Sequence, residues 1–130
     1  MVYMKKGFTI IELLVVIVIF GLATIAFLFQ KTEYDAIKRD EQRKIAINAM
    51  YYNLEEDFRS NNDFYPEKIS EENLKAMDPQ LFTDPFGANV GHESSNYRYE
   101  PTGCKDQKCA SYTLRAIMER EDDFVKKSRN

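Results

Sequence analysis

Residues 8–29 form an apolar stretch of 22 residues with one charged side chain in it, Glu12. From Leu13 to Phe29 the only polar side chain is Thr24. About 20 such residues cross the hydrocarbon layer of a bilayer as a helix. A short basic head, Lys5-Lys6-Gly7, precedes the stretch, and residues 1–7 hold no acid. A removable secretory signal is the competing reading. Its apolar core is shorter and ends in a small-x-small cleavage site, whereas Phe27-Leu28-Phe29-Gln30-Lys31 offers none. The stretch is therefore expected to stay on the chain.

Orientation does not follow from basic residues alone. Lys5 and Lys6 stand on one side, and Lys31, Lys38, Arg39, Arg43 and Lys44 on the other. Cys104 and Cys109 are the only cysteines, and both lie far from the apolar stretch. A close pair in a chain with an export-type N-terminus reads as a disulfide in an oxidising compartment. That places the C-terminal part outside the cytoplasm. The other reading of the pair, a metal site, has too few partners: one Cys-x4-Cys and a single histidine, His92, do not close a zinc site. His92 itself reads as a surface loop residue.

No Pro or Gly interrupts residues 30–59. Ile47, Met50, Leu54 and Phe58 are spaced to share one helical face, flanked by Ala46 and Tyr51. Residues 30–44 are mostly charged, with mixed signs, and read as a solvated or subunit-facing surface. One helix is thus expected from Phe8 to about Arg59. At 1.5 Å per residue it would be about 75–80 Å long. Roughly 100 residues outside the apolar stretch cannot bury such a helix, so its first half is expected to enter a membrane or neighbouring subunits. Ser60-Asn61-Asn62-Asp63 ends it.

The rest is rich in loops. Tyr65-Pro66 is extended or a turn. Ser70-Glu71-Glu72 predicts a short helix through Met77, with Ser70 as its N-cap. Asp78-Pro79 and Asp84-Pro85-Phe86-Gly87 mark turns. Strands are predicted at Tyr97–Glu100 and Ser111–Met118. In the second, Tyr112, Leu114, Ala116 and Met118 alternate with Thr113, Arg115 and Ile117. Between the strands, Pro101–Cys109 reads as a hairpin connection tied by its cysteines. Glu119–Asn130 reads as a frayed polar tail. The division is a leader at 1–7, apolar and amphipathic helix halves at 8–29 and 30–60, a head at 61–119 and a tail at 120–130.

Glu12 needs a reason to sit where it does. A carboxylate in an apolar helix costs up to a few kcal/mol, less near the interface. It can lie at headgroup level, or it can await a cation. A cut between Gly7 and Phe8 would create one, the α-amine of Phe8. Helical geometry offers Glu12 more naturally to the amine of a neighbouring chain than to its own.

Lys5-Lys6-Gly7-Phe8-Thr9-Ile10-Ile11-Glu12-Leu13 resembles the N-terminal signature of type IV pilins and pseudopilins. The resemblance implies cleavage after Gly7 by a prepilin peptidase and N-methylation of Phe8. It also implies that Glu12 neutralises the N-terminus of a neighbouring subunit. Asp84-Pro85-Phe86-Gly87 is similar to the Asp-Pro-Trp-Gly turn of major pseudopilins, with Phe for Trp. Many family members carry a Pro within the apolar helix; here only Gly21 could loosen it. The Cys104–Cys109 loop looks like the disulfide-bounded loop of pilins and stands where many pseudopilins bind calcium.

The expected class is α+β: a long N-terminal helix on a small antiparallel sheet. The expected role is a pilus filament subunit. Its precursor would lie in the cytoplasmic membrane, single-pass, and the assembled fibre would be extracellular. Adhesion, twitching motility or DNA uptake would be the work of such a fibre. The implied partners are further copies of the chain, the prepilin peptidase, an assembly platform protein and minor pilins. A secretion pseudopilin and a single-span anchored binding protein are the rivals. A net charge of −3 argues against a dedicated nucleic-acid binder, and Lys126, Lys127 and Arg129 follow four close acids. No enzymatic constellation and no cofactor motif is present. The acid runs Glu55-Glu56-Asp57 and Glu119-Arg120-Glu121-Asp122-Asp123 read as solvated faces.

Overall fold

The computed structural model describes residues 7–129. The chain adopts the expected α+β class, a long N-terminal helix with small antiparallel sheets. Its contacts divide it into two compact units, one ending at Asp35 and one beginning at Ala36.

Helix α1 spans Ile10–Tyr52. Thr9 caps it: its Oγ1 accepts from the Glu12 N–H at 3.3 Å, and its carbonyl accepts from Leu13 N–H at 3.1 Å. Thr9-Ile10-Ile11-Glu12 has the Thr-x-x-Glu form of a capping box. Residues 7–34 are exposed throughout. Thr24 meets the apolar setting by donating its hydroxyl to the Phe20 carbonyl at 2.8 Å. Gly21 lies within the helix, and a Cβ there would meet nothing within 4 Å.

The helix does not run on as a plain α-helix. A π segment, Asn53–Phe58, follows α1, and a last turn, α2, covers Arg59–Asn62. The wider π winding lets Leu54 and its neighbour Glu55 both face inward. Asp63 then turns left-handed at φ 62°, its N–H on the Arg59 carbonyl, within the predicted turn cluster.

Within the second unit, Ala46, Ile47, Met50 and Leu54 pack against Tyr65, Leu74, Phe82, Tyr97, Tyr112 and Leu114. Phe58, expected on the stripe, is only half-buried at its edge. Strand β1 (Tyr65–Pro66) pairs antiparallel with β3 (Lys108–Cys109). The larger sheet runs β2 (Tyr97–Thr102), β4 (Ser111–Ala116), β5 (Phe124–Lys127), all antiparallel. Tyr112, Leu114 and Ala116 are buried along β4 while Ser111, Thr113 and Arg115 are half-exposed. This is the alternation a one-sided sheet requires. Pro101 is tolerated because β2 is an edge strand.

Four expectations need correction. Ser70–Met77 forms turns, not a helix. Asn73 and Leu74 N–H both return to the Ser70 carbonyl, and Pro79 forces Asp78 to an extended ψ of 123°. The helical turn comes later, at Pro79–Phe82, with Asp78 accepting from Gln80 N–H. Strand β4 stops at Ala116, two residues before Met118, because Glu119 and Arg120 are drawn to Asp40. The tail is not frayed: residues 124–127 form β5 on the edge of β4. The fourth correction concerns charge. Asp40 and Arg43, expected on a solvated or subunit-facing surface, and Glu55, expected on a solvated face, are buried within the head.

Candidate assembly segment and the polar clusters of the head

In the first unit the candidate site is one turn long. Gly7 and Phe8 precede the cap at Thr9, Phe8 is 79% exposed, and Glu12 closes the first helical turn. A carboxylate there faces the positive end of the helix dipole, worth about 0.3–1 kcal/mol. In the uncut chain the Phe8 nitrogen is a peptide nitrogen and carries no charge, so the cation that would answer Glu12 arises only on cleavage. The apolar side chains after it are exposed from Leu13 to Phe29. Among the described residues this is the one helix long and apolar enough to cross a membrane.

In the second unit, Cys104 and Cys109 form a disulfide. Closing so short a loop contributes about 2–3 kcal/mol in the chain-entropy account. Buried Cys109 lies opposite Tyr65 in the β1–β3 pair, so the bond closes the loop that leads into β3. Among the described residues no group of three or more His, Cys, Asp or Glu could hold a metal ion.

The largest polar cluster joins α1 to the end of β4. Arg43, fully buried, reaches Asp40 at 2.6 Å, Glu119 at 2.8 Å and the Asn96 side chain at 2.8 Å. Asp40 also accepts the backbone N–H groups of Glu119 and Arg120 at 3.0 and 2.9 Å. Arg39 grips Glu119 with two bonds of 2.8 and 2.7 Å. Burial pushes the Asp40 carboxyl up, but the two backbone bonds and Arg43 outweigh it and hold it below its ordinary range. The Arg39 hydrogen bond, aided by Arg43, holds Glu119 down from 4.5 to about 2.

Both carboxyls bind protons less readily in the folded chain. The stability they add is therefore present above their unfolded values and lost as pH falls through the folded ones. For the full-length protein in detergent, the melting temperature should hold steady from pH 7 to about 5 and fall between about 4.5 and 2. Glu119→Gln should flatten part of that fall; a melting temperature unchanged down to pH 2 would contradict it.

A second cluster surrounds Glu55. It accepts the Tyr112 hydroxyl at 2.8 Å, the Tyr65 hydroxyl at 3.0 Å and the Arg129 backbone N–H at 3.2 Å. Burial first, then Glu55, pushes the Tyr112 hydroxyl well above its ordinary range. The third cluster is a turn. Buried Asp84 accepts the N–H groups of Phe86, Ala88 and Asn96 at 2.9, 2.9 and 2.7 Å. Burial, with the Asp84 charge second, pushes Tyr97 up to about 12.

Asp40, Arg43, Glu55, Asp84, Asn96 and Glu119 were not singled out as site residues by the sequence. A signal existed for two of them. Extending the stripe backwards from Ile47 by the same alternation of threes and fours reaches Arg43, Asp40 and Ala36, all buried. Glu55 had none, since its partners lie 10, 57 and 74 residues away.

Residues 3–28 match the family model described as the prokaryotic N-terminal methylation motif. That motif is the leader of type IV pilins and pseudopilins, and it indicates a structural protein processed by a prepilin peptidase. No curated protein and no solved structure matches the chain.

Proposed function

We propose that the chain is the structural subunit of a type IV pilus. The precursor is stored in the cytoplasmic membrane with its head outside the cytoplasm. A prepilin peptidase cuts after Gly7, and Phe8 becomes N-methylated. An assembly platform protein then draws the subunit into a helical fibre of identical copies, started by minor pilins. The observation that carries this reading is the methylation motif at residues 3–28, followed by an apolar helix with Glu12 in its first turn.

The energetics single out Glu12. Moving residues 8–29 from lipid into a fibre core exchanges one apolar setting for another, so hydrophobic transfer adds little. Packing and the Glu12–amine pair between neighbours remain as driving terms. Exported loops of the fibre would serve adhesion, motility or DNA uptake. The Cys104–Cys109 disulfide supports an oxidising location for the head.

Mass spectrometry of the purified protein tests the processing. The expected N-terminus is Phe8, heavier by one methyl group. An intact residue 1–7 leader on the mature protein would favour a single-span anchored protein and remove the filament reading. The Asp84-Pro85-Phe86-Gly87 turn, similar to the Asp-Pro-Trp-Gly turn of major pseudopilins, supports a second reading as a secretion pseudopilin. Long surface fibres at native expression would count against that one.

A further inference from the structure

The two ends of the Cys104–Cys109 disulfide stand in different surroundings. Cys109 is 1% exposed and belongs to the core, opposite Tyr65 in the β1–β3 pair. Cys104 lies in an exposed loop, between exposed Gly103 and exposed Lys105. A thiolate breaks a disulfide by attacking one of its sulfurs, and access helps to decide which one. Reaching Cys109 requires the core to open; reaching Cys104 does not. The leaving group works the other way. Attack at Cys104 releases the Cys109 sulfur as a thiolate in an apolar site, where a charge is costly. That slows attack at Cys104 but opens no path to Cys109, so access prevails.

The loop does not depend on the disulfide alone. Lys105 and Lys108 exchange backbone N–H···O bonds of 2.8 and 3.0 Å. Between them Asp106 and Gln107 take left-handed φ of 52° and 64°, the pair of conformations found in the tightest hairpin turns. The Ala110 N–H returns to the Thr102 carbonyl at 3.1 Å, and β3 pairs with β1. A cut disulfide therefore leaves Cys109 inside and Cys104 outside.

We propose that Cys104 of the folded head is a site of S-thiolation that takes up low-molecular-weight thiols by exchange with Cys109. The incoming thiolate supplies the electron pair of the new bond to the Cys104 sulfur. The Cys104–Cys109 bond breaks, its electron pair leaves on the Cys109 sulfur, and that sulfur takes one proton from water. One disulfide replaces another, so no outside oxidant or reductant enters. Attack of the Cys109 thiolate back on Cys104 expels the thiol and restores the loop. The inference holds for the head whether or not the chain forms a filament.

Reduced glutathione serves as the probe thiol for the full-length protein in detergent. Exchange is stopped with acid, free thiols are alkylated in denaturant, and the chain is cut with trypsin. Cleavage after Lys105 and Lys108 puts the two cysteines on separate peptides. The expected product carries glutathione on Cys104 and the alkyl label on Cys109, in at least tenfold excess over the reverse isomer. Exchange begun in denaturant should bring the two isomers within threefold of each other, which ties the preference to the fold. Equal isomers from the folded protein, an excess on Cys109, or the same tenfold bias in denaturant would overturn the proposal. So would a folded protein that takes up no glutathione under conditions where the denatured one does.

Discussion

A Glu12→Ala chain is expected to enter the membrane and be cut after Gly7, yet to yield at least tenfold less filament than the unsubstituted chain. Insertion should improve, because an acid in an apolar helix costs up to about 3 kcal/mol. Assembly should suffer, because each freed Phe8 amine then enters the fibre core without a counter-charge. Removing one partner of a buried pair costs about 3–5 kcal/mol, and about 1.4 kcal/mol is already tenfold. Quantifying sheared fibre against the membrane fraction measures both effects in one culture. Glu12→Gln keeps the size and removes only the charge, so it should behave like Ala. Normal filaments from either variant would end the proposed role of Glu12.

Arg43→Ala should be the most damaging change in the head. The guanidinium is fully buried and joins Asp40, Glu119 and Asn96. Its loss strands the buried Asp40 carboxylate, at a cost of about 3–5 kcal/mol. For a unit of this size that corresponds to a melting temperature lower by roughly 15–30 °C. Arg39→Ala removes a more exposed grip on the same Glu119, with side chains 30% and 28% exposed, and should cost about 1 kcal/mol or less. Thermal melts of the two full-length variants in detergent compare them directly. Equal melting temperatures for the two would show that the buried pair does not hold the head.

The contrast between these two arginines shows what was legible in the sequence. The apolar stretch, its single acid and the stripe from Ile47 to Leu54 were readable because each is a local pattern of fixed period. Strand β4 was readable for the same reason, from Tyr112, Leu114 and Ala116. Arg43 is harder to read, because a charge within a mixed-charge run suggests a solvated or subunit-facing surface, although its spacing places it on the buried face. Strand β5 carries no such pattern. Lys127 is exposed and Lys126 half-buried, its ammonium over the Tyr51 and Phe124 rings, in a strand that forms because the edge of β4 is there to pair with it. The short helix expected at Ser70 gave way because isolated helices of that length are marginal and the following Pro fixed the chain in an extended form. Among the site residues, Glu12 was legible because a charge in an apolar stretch is conspicuous. Glu55 was not, because a charge among charges is inconspicuous until distant tyrosines close on it.

The bond from the Arg129 backbone N–H to Glu55 sets a time order on folding. Glu55 is made 74 residues before the group that completes its shell. At about 5–20 residues per second, synthesis leaves that carboxylate one donor short for several seconds. Strand β5, which ends two residues before the donor, is also made late. The shell of Glu55 therefore closes only once the chain has been made as far as Arg129. A ribosome stalled shortly before Ser128 would leave Glu55 without that donor and the nascent head more open to proteases.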